Sequence, residues 1–77
     1  MIFILTEQIM NGTVCMQVKT TLIEGESWEE AYDKLREFVS ETQAHNVKED
    51  SDSISYTIPG RSFDIWGRLD KNAAVVV

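Results

Sequence analysis

Hydrophobic and polar residues alternate toward both ends of the chain, and apolar residues recur every third or fourth position in between. The pattern predicts strands flanking a single helix. Asn11-Gly12 marks the first turn, because both residues tolerate the positive φ of a two-residue type I′ loop. Folding the chain there pairs Ile9 with Val14, Glu7 with Met16, Leu5 with Val18 and Phe3 with Thr20. That face is apolar apart from Glu7 and Thr20. The opposite face, with Gln8 beside Cys15, Thr6 beside Gln17 and Ile4 beside Lys19, is mixed. Turn chemistry and alternation agree on one register, which is what specifies a hairpin.

After Glu24-Gly25-Glu26 the period changes. Trp28, Ala31, Tyr32, Leu35, Phe38, Val39 and Thr42 form the apolar stripe of an amphipathic helix. Ser27 and Glu30 have the spacing of a capping box, and Asn46 suits a left-handed C-terminal stop. At 1.5 Å per residue such a helix is about 25 Å long. It can therefore cover a hairpin whose strands have about eight residues.

Lys48 to Ser53 reads as a polar link. Alternation then resumes, with Ile54, Tyr56 and Ile58 on one face, until Pro59-Gly60 breaks it. A further strand follows, with Phe63, Ile65 and Leu69 facing one way and Asp64, Trp66 and Arg68 the other. Gly67 within it signals a bulge or a close backbone approach. Asp70-Lys71-Asn72 is a turn, and 73–77 is a last short strand or a tail. The expected fold is α+β: a single domain over 1–77, in ββαββ(β) order, with one helix packed on one face of an antiparallel-rich sheet. Its core should join Trp28, Leu35, Phe38 and Val39 to Phe3, Leu5, Val18, Ile54, Tyr56 and Ile65.

The chain has 77 residues, too few to divide between two cores. Its one cysteine, Cys15, cannot form an intramolecular disulfide, so the fold needs no oxidising compartment. The apolar start Met1 to Leu5 lacks the cationic lead and the length of a signal peptide. No run approaches the ~18 apolar residues of a membrane span, and a cytoplasmic protein is expected.

Net charge is −6, which weighs against direct nucleic-acid binding. The charge is also segregated. Residues 24–52 hold ten of the thirteen acids against Lys34, Arg36 and Lys48, a net −7, and the rest of the chain is +1. Within that segment Glu29, Asp33, Glu37 and Glu41 form a carboxylate stripe at i+4 steps, a spacing at which like charges oppose the helix.

Candidate chemistry is sparse. His45, the sole histidine, falls at the expected helix end with no nucleophile and orienting group nameable beside it. Cys15 falls mid-strand, without a histidine or helix N-terminus to activate it. Glu49-Asp50-Ser51-Asp52 opens like a calcium loop, but Ser55 stands at the glycine position and Arg61 at that of the bidentate glutamate. No cofactor or metal is implied, and an enzyme is not expected. Two surfaces remain. One is the carboxylate stripe, offered to a basic partner. The other is the sheet face away from the helix, where Ile4, Met10 and Trp66 would form an apolar interface, joined by Ile2 and Cys15. The expected function is therefore a non-enzymatic, self-associating protein-interaction module. One alternative is an acidic nucleic-acid mimic or inhibitor, of the phage accessory type, that occupies a basic protein. Another is a single-stranded nucleic-acid binder using Trp66, with Arg61 and Arg68 nearby.

Overall fold

A computed structural model describes residues 1–73, so the expected last strand or tail lies outside the described residues from 74 onward. Strands β1 (Ile2–Asn11) and β2 (Val14–Glu24) precede the helix α1 (Trp28–Glu41). Strands β3 (His45–Glu49), β4 (Ser53–Ile58) and β5 (Asp64–Asp70) follow, and a 3₁₀ turn spans Lys71–Ala73. The strands form one sheet in the order β2-β1-β5-β4-β3, antiparallel throughout. This is the expected α+β architecture with one strand placed differently. The fifth strand is His45–Glu49, within a stretch expected to be helix end and link. All five of its residues are exposed, so they carry no alternation to read.

The first hairpin also departs from its expected register. Gly12 has φ 61° and Thr13 does not share that region, so Gly12-Thr13 is the two-residue loop, with the sign pattern of a type II′ turn. Asn11 pairs with Val14 and Met10 with Cys15. After a bulge beyond Ile9, Gln8 pairs with Val18, Glu7 with Lys19, Leu5 with Thr21 and Phe3 with Ile23. Relative to the expected pairs, β2 has slid by three residues. An odd slide sends every side chain to the other face. Val18 therefore leaves the core and is 56% exposed.

Ser27 caps α1, its Oγ accepting from the Glu30 N–H at 3.2 Å. Glu30 reaches back one residue further than a strict capping box, accepting from the Glu26 N–H at 3.3 Å. The helix stops at Glu41, where the Thr42 N–H and hydroxyl both donate to the Val39 carbonyl. Asn46 does adopt a left-handed φ of 52°, but in β3, at the irregularity between His45 and Lys48. With 14 residues the helix is about 21 Å long.

The core unites Trp28, Ala31, Leu35 and Val39 of α1 with Phe3 and Leu5 of β1, Ile54 and Tyr56 of β4, and Leu69 of β5. Phe38, expected inside, is 44% exposed, and Ile65 is half-buried. Trp28 ties three elements together. Its ring lies 5.5 Å from that of Phe3 and 5.5 Å from that of Tyr32. Its indole N–H donates to the Ser51 carbonyl at 2.9 Å, fastening the β3–β4 turn to the helix start.

That turn explains the acidic run 49–52. Asp50 Oδ1 accepts from the N–H groups of Asp52 (2.7 Å) and Ser53 (2.9 Å), and Oδ2 accepts from the Ser53 hydroxyl. These hydrogen bonds hold the Asp50 carboxyl below its ordinary range.

Gly67 marks a close approach. Its cross-strand neighbour Tyr56 lies over it, and a Cβ there would fall 2.1 Å from Tyr56 Cζ. The bare position lets the Tyr56 hydroxyl cross β5 and donate to Glu7 Oε2 on β1 at 3.2 Å. Burial first, then the Glu7 carboxylate, pushes the phenol above its ordinary range, so it remains a donor.

Two substitutions test this packing by denaturant unfolding. Leu35→Ala should cost about 2–5 kcal/mol, the range for emptying a buried leucine site; an unchanged midpoint would contradict the packing. Gly67→Ala should cost about 1–3 kcal/mol through overpacking against the Tyr56 ring. Most of that loss should vanish in a Tyr56→Leu background, whereas additive losses would place the strain elsewhere.

Candidate functional site

One face of the sheet carries the helix, and among the described residues no element packs on the other. Cross-strand pairing assigns the side chains of this outer face in rows. The first row runs Val18, Gln8, Trp66, Thr57 and His45 across all five strands. The second runs Thr20, Thr6, Arg68, Ser55 and Lys48. Leu22 beside Ile4 forms a third. The alternation of β1, β4 and β5 places these residues outward because Leu5, Ile54, Tyr56 and Leu69 face the helix.

Over β1, β5, β4 and β3 the twisted face forms an open groove of about 660 Å³ with Trp66 in its lining. Trp66 stands on the central strand and is 43% exposed. Around it lie Gln8, Thr57 and Ser55, groups that donate or accept hydrogen bonds, and the cations Arg68 and Lys48. Among the described residues no carboxylate lines the groove itself, while Asp64 and Asp70 stand on the same face of β5 beside it. Arg68 Nη2 contacts Asp70 Oδ2 at 3.2 Å, while Lys48 makes no ion pair among the described residues. Arg61 lies in the β4–β5 loop and does not line the groove.

The residues expected to form an apolar outer interface are placed unequally. Trp66 is exposed, Ile4 is half-buried, and Met10 is only 6% exposed although it lies outside the core cluster. Met10 offers little surface, so it is corrected out of the patch. Its place is taken by Val18 and Leu22 of β2. Val14, Met16, Val18 and Leu22 are each more than half exposed, and all of 14–20 is exposed. The register slide brought Val18 and Leu22 outward, and the correct turn position was the signal that would have found them. Lys48 and Asn46 of the groove were hidden because β3 shows no periodicity.

Glu29, Asp33, Glu37 and Glu41 are all exposed on α1, on the opposite side of the sheet from the groove. The two helix cations are engaged elsewhere. Lys34 meets Glu30 at 3.3 Å and the Glu24 carbonyl at 2.7 Å, and Arg36 meets Glu49 at 3.6 Å. None of the four stripe carboxylates has an ion-pair partner among the described residues.

The remaining candidates are scattered. His45 is exposed at the start of β3, and exposed Cys15 lies near the hairpin tip, where its thiol donates to the Gln17 carbonyl at 3.6 Å. Among the described residues no three His, Cys, Asp or Glu side chains gather as a metal site, and no helix is long and apolar enough to cross a membrane. Comparison with protein-family models, curated proteins and solved structures found no match to this chain.

Proposed function

We propose that this chain is a non-enzymatic protein-interaction module that self-associates through β2. The observation that carries this reading is the character of that edge. β2 has 11 residues, lies at the end of the sheet, and exposes Val14, Met16, Val18 and Leu22. A long edge strand presents a row of unpaired backbone groups, and lone domains blunt such edges with charge, proline or brevity. Here only Lys19 and the terminal Glu24 carry charge. The other edge, β3, is short, with His45, Lys48 and Glu49 among its five residues.

A second copy fits this edge by symmetry. Antiparallel β2–β2 pairing about a two-fold axis is isologous and continues the sheet. With Val18 opposite the second copy's Val18, Lys19 faces Gln17 rather than another lysine. The axis stands perpendicular to the sheet, so both helices fall on one side and both outer faces on the other.

Light scattering should show a dimer at micromolar concentration. Val18→Lys should give a monomer whose unfolding free energy differs from wild type by no more than about 0.5 kcal/mol, as for other exposed positions. A wild type that stays monomeric at high concentration would overturn the reading, as would a dimer unaffected by Val18→Lys.

A second reading rests on the carboxylate stripe: an acidic surface that occupies a basic partner, including a nucleic-acid-binding protein. It is favoured by the unpaired state of Glu29, Asp33, Glu37 and Glu41 beside two cations engaged elsewhere. Changing all four to Gln should stabilise the isolated domain by a few tenths of a kcal/mol per like-charge pair removed. It should also weaken, salt-dependently, the binding of any basic protein recovered with the wild type. Equal affinity at two salt concentrations would return the stripe to a solvated helix face.

A further inference from the structure

We infer that the groove around Trp66 is a binding site for single-stranded nucleic acid, with a base stacked on the indole and phosphates held by Arg68 and Lys48. The site is separate from the β2 edge, and pairing through that edge would leave it open.

Three features select this ligand. Trp66 is an exposed aromatic ring on the central strand, bounded by hydrogen-bonding side chains rather than by apolar ones. Such a ring is a platform on which any base can stack. Next, the charges of the lining are both positive, Lys48 and Arg68, in a chain of net −6. Lys48 and Arg68 share one cross-strand row with Ser55 between them, so they stand two strand spacings apart, about 9.6 Å. Along β5, Arg68 lies two residues from Trp66, about 7 Å. A backbone crossing the strands along that row keeps its bases within reach of the indole. Finally, Gln8, Ser55 and Thr57 surround the ring with groups suited to base edges and sugar hydroxyls. An acidic peptide would also answer the cations, but the polar surroundings of Trp66 give its side chains no apolar pocket.

Net charge alone pointed the other way, and the fold removes the conflict. The helix carboxylates project from the far side of α1, whose diameter is about 10–12 Å. The sheet adds to that distance, which exceeds the ~8 Å screening length at physiological ionic strength. The groove therefore presents its local charge, which is its two cations together with Asp64 and Asp70 on the same face of β5, about 7 Å along the strand from Trp66 and Arg68. The Arg68–Asp70 contact is an exposed ion pair of the kind that contributes little, so a phosphate can compete for the guanidinium.

The probe is a fluorescein-labelled oligothymidylate of fifteen nucleotides, titrated with the full chain and read by anisotropy and by tryptophan quenching. Trp28 is buried with its indole N–H bonded to Ser51, so quenching reports Trp66. Binding should weaken about tenfold in Trp66→Leu and be largely restored in Trp66→Phe, which keeps a stacking ring. The slope of log K against log salt should be near −1.4 for two phosphate contacts, falling by about 0.7 in Lys48→Gln and again in Arg68→Gln. Circular dichroism should show each variant folded. No binding at millimolar protein, equal affinity of Trp66→Leu, or a flat salt response would overturn the assignment. Equal competition by a duplex of the same length would overturn the single-strand class. Dilution-dependent Trp66 fluorescence without the oligonucleotide, abolished by Trp66→Leu together with the dimer, would give the face to a second copy instead.

Discussion

One helix cannot cover a five-stranded sheet, and the surface of this domain follows from that shortfall. Five strands at spacings of about 4.8 Å make a layer about 19 Å across, whereas a helix with its side chains is about 10–12 Å wide. The helix spends its apolar stripe on β1, β4 and β5, where Phe3, Leu5, Ile54, Tyr56 and Leu69 close the core. Of the two edges β2 reaches that contact through Ile23 near its end, and among the described residues nothing covers the outer face. The two edges differ in kind. β3 is short and mostly polar, as befits a strand that must stay unpaired, while β2 is long and carries exposed valines, methionine and leucine.

The same layering separates the charges. Carboxylates crowd the helix and its flanks, whereas among the described residues the charged groups lining the groove on the far side are Lys48 and Arg68, with Asp64 and Asp70 beside them on β5. The interior joins the two layers through groups that each need the others. Trp28 links the helix start to Phe3 and to the β3–β4 turn, and Asp50 shapes that turn from its own side chain. Across the sheet, the bare backbone of Gly67 lets Tyr56 span β5 and reach Glu7. These contacts hold β4, β5 and β1 in register, and that register sets Trp66, Arg68 and Gln8 side by side on the outside.

Much of the fold was legible where burial imposes a period. Most of the helix stripe, the Ser27 cap, the alternation of 54–58 and the opposed faces of 64–69 emerge as read, because each has one face in the core and one in water; Phe38, read into the stripe, is exposed. Gly67 was legible as a close approach for the same reason: a glycine amid a strand's apolar alternation needs something to lie over it. Legibility failed where neither face is buried. β3 has no alternation, so a strand looked like a link. In β2 the residues from 14 to 20 are all exposed, so nothing in their pattern could expose a misplaced turn. Asn11-Gly12 has the dipeptide of a type I′ loop, yet the chain turns at Gly12-Thr13 and absorbs the difference in a bulge. That slide moved Val18 from the expected core to the outer face. The candidate site was thus half visible: Trp66 and Arg68 could be read from β5, but their neighbours from β2 and β3 could not.

The central claim is that the open edge β2 is an interaction surface rather than a solvated border. Amide hydrogen exchange of residues 14–24, followed at nanomolar and at high micromolar protein, tests it most directly. Alternate amides of β2, those facing away from β1, should exchange freely when dilute and become protected as concentration rises. Over the same range the amides of β3, the other edge, should exchange at an unchanged rate. Protection of β2 that is independent of concentration, or that rises equally in β3, would contradict the account.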